Sequence, residues 1–276
     1  MKKHLIGIYA LLCLLVSCTD KQTDEERAQA FIDSAATLYA NGHFEAAKWQ
    51  LDSVHDNFPQ LVRYRRQADT IAWRIEMRET DRNLHYVDSL LPIKANEVNQ
   101  LTKPFKYEKN DQYQQYGTFT YNLLRNEWNL GRSYVKPFTD EQGQLYLTAH
   151  YCGTPIDYER LRISVGDFWA DTQPIDAADK HTYTDLGVTH ETALIAPNAI
   201  GTWPEFWTTH QDENIKITFV GTKRNYTYLP NKDERQAFVE TYRLATVLAD
   251  IARLEKLRQH ATTRQHILRQ KLNLKE

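Results

Sequence analysis

The sequence contains little that would suit a membrane-spanning or nucleic-acid-binding protein. Its one long apolar run covers residues 5–16, twelve residues without a charge, whereas a spanning helix needs about 17 to 25. The formal net charge is −2, and no long basic stripe of the kind that binds a phosphate backbone is present. These absences exclude a multi-span membrane protein and argue against a nucleic-acid partner.

Recognisable catalytic motifs are also missing. The chain has no His-Glu-x-x-His pair for zinc, no glycine-rich phosphate loop and no Gly-x-Ser-x-Gly nucleophile turn. We therefore expect no catalytic residues, no metal and no cofactor, and we predict that the protein is not an enzyme.

The beginning of the chain has the pattern of a secretion signal. Lys2 and Lys3 precede the apolar run, which ends at Ser17 and Cys18. The tetrapeptide Leu15-Val16-Ser17-Cys18 resembles the bacterial lipobox. That resemblance implies that residues 1–17 are removed and that Cys18 becomes the lipid-bearing first residue of the mature chain. The alternative is ordinary cleavage, with Cys18 left as a free thiol.

Lipidation would also decide the state of the remaining cysteines. The chain has three; Cys13 would leave with the signal, and Cys152 would have no partner for an internal disulfide. Residues 18–27 are rich in charge and are predicted to form a flexible tether. Thr19, and not Asp, follows Cys18, so the resemblance implies the outer membrane of a Gram-negative cell, without indicating which face.

Residues 28–60 have the spacing of two short helices separated by Asn41-Gly42. A set of small and apolar residues in this region resembles one tetratricopeptide repeat: Phe31, Ala35, Gly42, Phe44, Ala47, Leu51 and Pro59. One such hairpin cannot bury its own apolar face. We therefore expect it to pack on another element of the chain or on a partner.

Two long helices are predicted at residues 61–99 and 231–276. In the second, residues of one seam step by four and three as in a coiled coil: Val247, Ile251, Leu254, Arg258, Ala261, Gln265, Leu268 and Leu272. Pro92 is expected to end or kink the first helix. The two helices are predicted to pair antiparallel as a stalk, which would bring the acidic residues 18–60 near the basic residues 251–276.

Residues 100–230 change to short aromatic or alternating runs that are separated by turn residues. Seven strands are predicted, at residues 117–121, 133–138, 145–151, 161–165, 190–195, 215–220 and 226–229. They suggest a β-sandwich or barrel-like domain. The predicted fold class is therefore α+β, with helices bracketing a β-rich domain.

The aromatic segment Trp203-Pro204-Glu205-Phe206-Trp207 is the candidate ligand-binding site. Exposed rings with polar neighbours grip sugar faces and extended peptides, so Trp203, Phe206 and Trp207 could bind a glycan or a peptide. The alternative is that these rings fill the core of a domain that has no disulfides.

Two further clusters could carry chemistry. Cys152 follows His150 by two residues and precedes Asp157, so a thiolate–imidazolium pair is geometrically allowed on a strand; the alternative is a small core cysteine. Residues 171–181 hold three carboxylates and a histidine, and the oxygens of this segment could bind calcium. The segment lacks the EF-hand order of ligands, so a solvated acidic loop is the favoured interpretation.

Taken together, the chain resembles the uncharacterised envelope lipoproteins of Gram-negative bacteria that share a short tetratricopeptide-like hairpin. We predict a non-catalytic lipoprotein that contacts the membrane through its lipid, binds a protein partner and acts in binding or assembly at the envelope. The alternatives are a glycan- or peptide-binding surface lipoprotein and a thiol- or metal-dependent envelope enzyme.

Overall fold

A computed structural model describes residues 23–124 and 131–274. The predicted signal peptide and Cys18 lie outside these residues. The described part contains five α-helices, α1 to α5: Asp24–Ala40, Phe44–Asn57, Val62–Leu101, Trp203–Thr209 and Lys232–Lys271. None of these helices is both long and apolar enough to cross a membrane.

Ten strands, β1 to β10, are present in the described residues: Phe105–Glu108, Thr118–Tyr121, Tyr134–Asp140, Leu145–Gly153, Tyr158–Val165, Phe168–Asp171, Lys180–Asp185, Val188–Ile195, Lys216–Gly221 and Tyr226–Tyr228. Helices at both ends of the chain flank this β-rich region, which confirms the α+β class. The described residues divide into two compact units, which fall within Met1–Leu84 with His260–Glu276, and within His85–Gln259.

In the first unit, α1 begins earlier than predicted. Thr23 caps the helix: its hydroxyl accepts from the N–H of Glu26 at 3.3 Å, and the Glu26 carboxylate accepts from the N–H of Thr23 at 2.8 Å. This capping box satisfies two N–H groups that a helix start leaves unpaired. Residues 24–27 are therefore helical, and the prediction of a tether as far as residue 27 was wrong.

The apolar face of the α1–α2 hairpin is covered by the same chain. Ala28, Ala35 and Ala47 are fully buried, and their cluster includes Ala68 and Ile75 of α3. Small side chains let the helix backbones approach closely. Of the two outcomes expected for this hairpin, packing on another element of the chain is the one observed.

The part of α5 in the first unit runs antiparallel to α3. The ammonium of Lys271 lies 4.9 Å from the ring centroid of Trp73, and Gln265 donates a hydrogen bond to Asp81 at 2.7 Å. Later residues of α3 thus meet earlier residues of α5.

The second unit holds the other halves of these helices, with the same relative direction. Arg258 pairs with Asp88 at 2.8 Å, and Lys94 pairs with Asp250 at 3.0 Å. Exposed ion pairs contribute only about 0–1 kcal/mol each, so the direction is set mainly by apolar contacts such as those of Leu101 with the α5 cluster.

Pro92 lies inside α3 and does not end it, contrary to one of the two predicted outcomes. Proline removes one backbone donor and crowds the preceding turn. Beyond it, Val98 and Leu101 pack against the cluster that contains Leu244 and Val247 of α5. We infer that this burial offsets the local cost and lets the helix continue.

The strands of the second unit form two antiparallel sheets. The six-stranded sheet has the order β1-β2-β3-β4-β8-β7, and the four-stranded sheet has the order β10-β9-β5-β6. Each of the seven predicted strands overlaps an observed one. The prediction missed β1, β6 and β7; β7 is an exposed edge strand whose polar sequence has no apolar alternation.

The two sheets share one hydrophobic core. Leu147 and Ala149 come from the six-stranded sheet, and Leu161, Ile163 and Phe219 come from the four-stranded sheet. Side chains of α4 and α5 join the same cluster. Each sheet therefore has one inner face that builds this core and one outer face that carries the alternate side chains.

Candidate functional site

The aromatic segment that the sequence offered as a binding site lies in the core. Trp203 and Trp207 are 0% and 1% exposed, and the ring of Trp207 stacks on Phe238 of α5 with centroids 4.3 Å apart. The segment forms α4, and a spacing of four residues puts both tryptophans on one helix face. These two rings have no exposed surface for a sugar or peptide, so a binding role for them was the wrong interpretation.

Phe206 occupies a different face of α4 and is only half-buried. Its ring lies 4.4 Å from that of His210, which in turn stacks on Phe168 at 6.3 Å. Phe206 thus supports a small aromatic group at the edge of the four-stranded sheet, beside β6.

The residues of the thiol candidate are not brought together as a triad. Asp157 has a left-handed backbone conformation, with φ of 54°, in the turn before β5. Its carboxylate lies 3.7 Å from the ammonium of Lys180 and accepts from the hydroxyl of Thr222 at 3.3 Å. The carboxylate therefore has other partners and does not orient His150.

His150 instead belongs to a ladder of rings across the six-stranded sheet. Its ring stacks on Tyr134 at 5.1 Å, and one ring nitrogen lies 3.1 Å from a ring nitrogen of His190. His190 stacks on Tyr183 with centroids 4.7 Å apart. The four rings come from β3, β4, β8 and β7. Tyr134 opposes His150, and His190 opposes both Tyr183 and Cys152. Because Cys152 is two residues from His150 on the same strand, all four rings share the outer face.

The electrostatics of this ladder favour a neutral ring at His150. Burial lowers the pKa of His150, and the neighbouring His190 lowers it further. The Nδ1 atom of His150 lies 3.0 Å from the Thr192 hydroxyl. Both ring nitrogens of His150 thus have hydrogen-bonding partners.

Cys152 lies opposite His190 in the β4–β8 register, and it is only half-buried.

The acidic segment at residues 171–181 is not an open calcium loop. Asp171 ends β6, a short 3-10 turn follows at residues 177–179, and β7 begins at Lys180. Within residues 23–124 and 131–274, no group of three or more potential ligands is arranged to hold a metal ion.

The outside of the four-stranded sheet carries a second candidate surface, which was not predicted from the sequence. We call it the outer face of the four-stranded sheet and define it by the polar and aromatic residues at outward positions of β5, β6, β9 and β10: Arg160, Arg162, Ser164, Trp169, Asp171, Lys216, Thr218 and Thr227. These positions alternate with core residues, as strand geometry requires.

The centre of this face is an ion cluster. Both side-chain nitrogens of Arg162 that face Asp171 donate to its carboxylate, at 2.6 and 2.8 Å, and Arg160 donates at 3.2 Å. The hydrogen bonds from Arg162 hold the pKa of Asp171 below its ordinary value, and Arg160 adds to the effect. The same contact raises the pKa of Arg162.

Trp169 stands beside this cluster and is 60% exposed. The guanidinium carbon of Arg162 lies 5.4 Å from the centroid of its ring, which is within the range of a cation–π contact. Arg162 therefore bridges the carboxylate and the indole and holds both in place.

The sequence does contain a signal for this face. Arg160, Arg162 and Ser164 alternate with Leu161 and Ile163, which indicates a strand with one polar side. What the sequence alone does not reveal is that Trp169 comes from a separate strand that pairs in this register, opposite Ser164.

Comparison with protein-family models, with curated proteins and with solved structures finds no match to this chain.

Proposed function

We propose that this protein is a lipid-anchored, non-catalytic binding protein of the Gram-negative outer membrane. The observation that carries the proposal is the tetrapeptide Leu15-Val16-Ser17-Cys18 at the end of a twelve-residue apolar run. Residues 1–17 would be removed, and Cys18 would carry the lipid that attaches the chain to the membrane.

The start of the described chain agrees with such an anchor. α1 begins at Asp24, six residues after Cys18. Six residues reach at most about 20 Å even when fully extended. A lipid on Cys18 would therefore keep the beginning of α1 close to the bilayer surface.

The helical elements support two finer structural proposals. The first is that α1 and α2 form a single tetratricopeptide-like hairpin that α3 closes, since their small residues are buried and α3 joins their cluster. The second is that α3 and α5 pair as an antiparallel coiled coil within each unit. Arg258 and Gln265, the polar residues of the predicted seam, contact Asp88 and Asp81, a way in which polar seam residues can define register.

The non-catalytic part of the proposal is supported by the surroundings of the thiol candidate. Both ring nitrogens of His150 have partners, and Asp157 pairs with Lys180 and Thr222. A nucleophile needs a base in contact and a group that orients that base. The described partners of His150 and Asp157 do not form such a relay to Cys152.

A second candidate function is binding of a glycan or a peptide by the β-rich domain. The exposed ring of Trp169 beside a pair of arginines favours it. Both functions are compatible, because an anchored protein of the envelope needs a binding surface. We also propose that the protein binds a protein partner at the envelope.

Lipidation is tested in cells that express the protein and are grown in medium containing alkyne-tagged palmitate, by measuring the label on the protein. We expect label in the wild type and none in Cys18→Ala. The chain offers two matched controls, Cys13→Ala and Cys152→Ala, which should keep the label. An unlabelled wild type, or label that survives in Cys18→Ala, would contradict the proposal.

The location is tested separately by density-gradient separation of inner and outer membranes. The wild type should follow outer-membrane markers, and Cys18→Ala should no longer follow them. Wild-type protein in the inner-membrane fraction would contradict the proposed location but not the lipid anchor.

A further inference from the structure

We propose that the outer face of the four-stranded sheet binds an acidic saccharide, with Trp169 as the stacking platform and Arg160, Arg162 and Lys216 as the anion-binding groups. The inference rests on the proposed binding function and names its ligand class and its site.

The exposed ring of Trp169 provides a stacking surface. An indole that is 60% exposed on a β-sheet loses favourable burial unless something covers it. The flat C–H face of a pyranose ring matches an indole in size and polarity, and aromatic side chains with polar neighbours are suited to such amphipathic ligands. Arg162 fixes the ring from one side, so little rotamer freedom remains to be lost on binding.

The charge of this face favours an acidic ligand. Three cations, Arg160, Arg162 and Lys216, share the outer face with one carboxylate, Asp171. Asp171 is contacted by both arginines, whereas Lys216 is exposed and, among the described residues, has no ion-pair partner. The face therefore keeps a surplus of two positive charges, and arginine forks match carboxylate or phosphate oxygens.

Hydroxyl groups extend the site across the sheet. Ser164 lies opposite both Trp169 and Lys216 in the strand register, and the hydroxyls of Thr218 and Thr227 lie 2.8 Å apart. Short hydroxyl side chains next to a stacking ring can exchange hydrogen bonds with sugar hydroxyls.

The position of these groups also favours a saccharide over an added peptide strand. A peptide that extends a sheet binds to the backbone N–H and C=O groups of an edge strand. Here the ring and the charges are side chains that project from the face of the sheet, across the edge strand β6 and its neighbours β5 and β9, whereas an added peptide strand would bind to the backbone of an edge.

The test measures binding by the full chain in detergent, with titration calorimetry at low salt. The probes are tetragalacturonate as a carboxylate-bearing saccharide, deacylated lipopolysaccharide core as a phosphate-bearing one, and tetragalactose as the neutral counterpart of the first. We expect saturable binding of at least one acidic probe, at least tenfold tighter than tetragalactose. The two acidic probes decide between carboxylate and phosphate. Binding should weaken as salt increases.

Variants then assign the site. Trp169→Ala should weaken binding at least tenfold, and Lys216→Glu should weaken it several-fold; both residues are exposed, so the fold should be unaffected. Trp49, on α2 of the other unit, is 76% exposed, and Trp49→Ala is the matched control that should bind like the wild type. Equal binding by Trp169→Ala, or equal affinity for neutral and acidic probes, would overturn the inference, as would the absence of binding to both acidic probes.

The lipid anchor and the saccharide site are tested by separate measurements, so either proposal can be contradicted without the other. Cys18→Ala in the same assay should bind the probe as the wild type does. Loss of probe binding with normal palmitate labelling would overturn only the saccharide site, and normal binding without labelling would overturn only the lipid anchor.

Discussion

Gly143 lies directly against the backbone of Ala249. A Cβ atom added at Gly143 would come within 2.2 Å of the Ala249 nitrogen and 2.3 Å of the Ala245 carbonyl oxygen. Gly143 also has φ of +74°, which side chains rarely adopt. The turn between β3 and β4 thus packs on α5 in a way that only glycine allows.

We expect Gly143→Ala to destabilise the second unit by roughly 2–5 kcal/mol, since about 1–2 kcal/mol comes from the backbone conformation and about 1–3 from overpacking. Gly187→Ala is the matched control: φ is +80° there, with nothing within 4 Å of the added Cβ. Gly187→Ala should lose only the part of the unfolding free energy that comes from the backbone conformation, about 1–2 kcal/mol. Urea unfolding followed by circular dichroism measures both, and equal losses would contradict the close contact.

Glu191 holds the turn before β5. Its buried carboxylate accepts from the N–H groups of Ile156, Asp157 and Tyr158 at 2.7, 3.0 and 3.3 Å. Hydrogen bonds to a charged group contribute about 1.5–3 kcal/mol each, and a buried donor without a partner is costly. Glu191→Ala should therefore lower the unfolding free energy by about 3 kcal/mol or more.

Glu191→Gln separates the roles of the two carboxylate oxygens. One oxygen accepts from both Ile156 and Asp157, and an amide oxygen can replace it. We expect about half the loss of the alanine variant, measured by thermal or urea unfolding. Glu159→Ala, at an exposed position, should change stability by less than about 0.5 kcal/mol. Similar losses at both glutamates would contradict the role of Glu191.

His150 should make the protein less stable in mild acid. Its pKa is lowered in the folded state by burial and by His190, so the unfolded chain binds a proton more readily. The resulting stability is fully present above the unfolded histidine pKa of about 6.5 and is lost as the pH falls from there towards the folded value. Urea unfolding between pH 7.5 and 5 measures this loss.

His150→Gln should have a smaller loss of stability over that pH range than the wild type. His260→Gln, at an exposed position of α5, should keep the wild-type pH dependence. An unchanged slope in His150→Gln would show that another group is responsible.

Glu234 should have the opposite dependence on pH. It is 2% exposed and belongs to a capping box with Asn231 at the start of α5, with both hydrogen bonds at 2.9 Å. Burial raises its pKa in the folded state, so its contribution to stability rises as the pH falls through the folded value towards about 4.3.

Glutamine can make the same capping contacts without the buried charge. Glu234→Gln should therefore be within about 0.5 kcal/mol of the wild type at pH 7, whereas Glu234→Ala should lose about 1–2 kcal/mol. Chemical unfolding of the three proteins at pH 7 and pH 5 tests this. A glutamine variant as unstable as the alanine variant would show that the charge itself is needed.

Local patterns in the sequence predicted most of the regular structure. The break at Asn41-Gly42, the long helices and seven strands follow from apolar periodicity and turn residues, because these depend on neighbouring side chains. The early start of α1 was also readable, since Thr23 and Glu26 form the capping-box pattern.

Other features depend on contacts between distant residues. The polar strand β7 exists because it pairs with β8, and α3 passes through Pro92 into a segment that packs on α5. Neither the pairing nor the packing has a counterpart in the local sequence, so periodicity alone could not predict them.

The aromatic residues show most clearly which features follow from local sequence and which depend on contacts between distant residues. The sequence by itself determined that Trp203 and Trp207 share a helix spacing and that Arg160 and Arg162 share one side of a strand. Only the tertiary structure decided that the first pair is buried against α5 and that Trp169 reaches Arg162 from the next strand. Burial and cross-strand contact depend on which surfaces meet when the chain folds, and that is a property of the whole second unit.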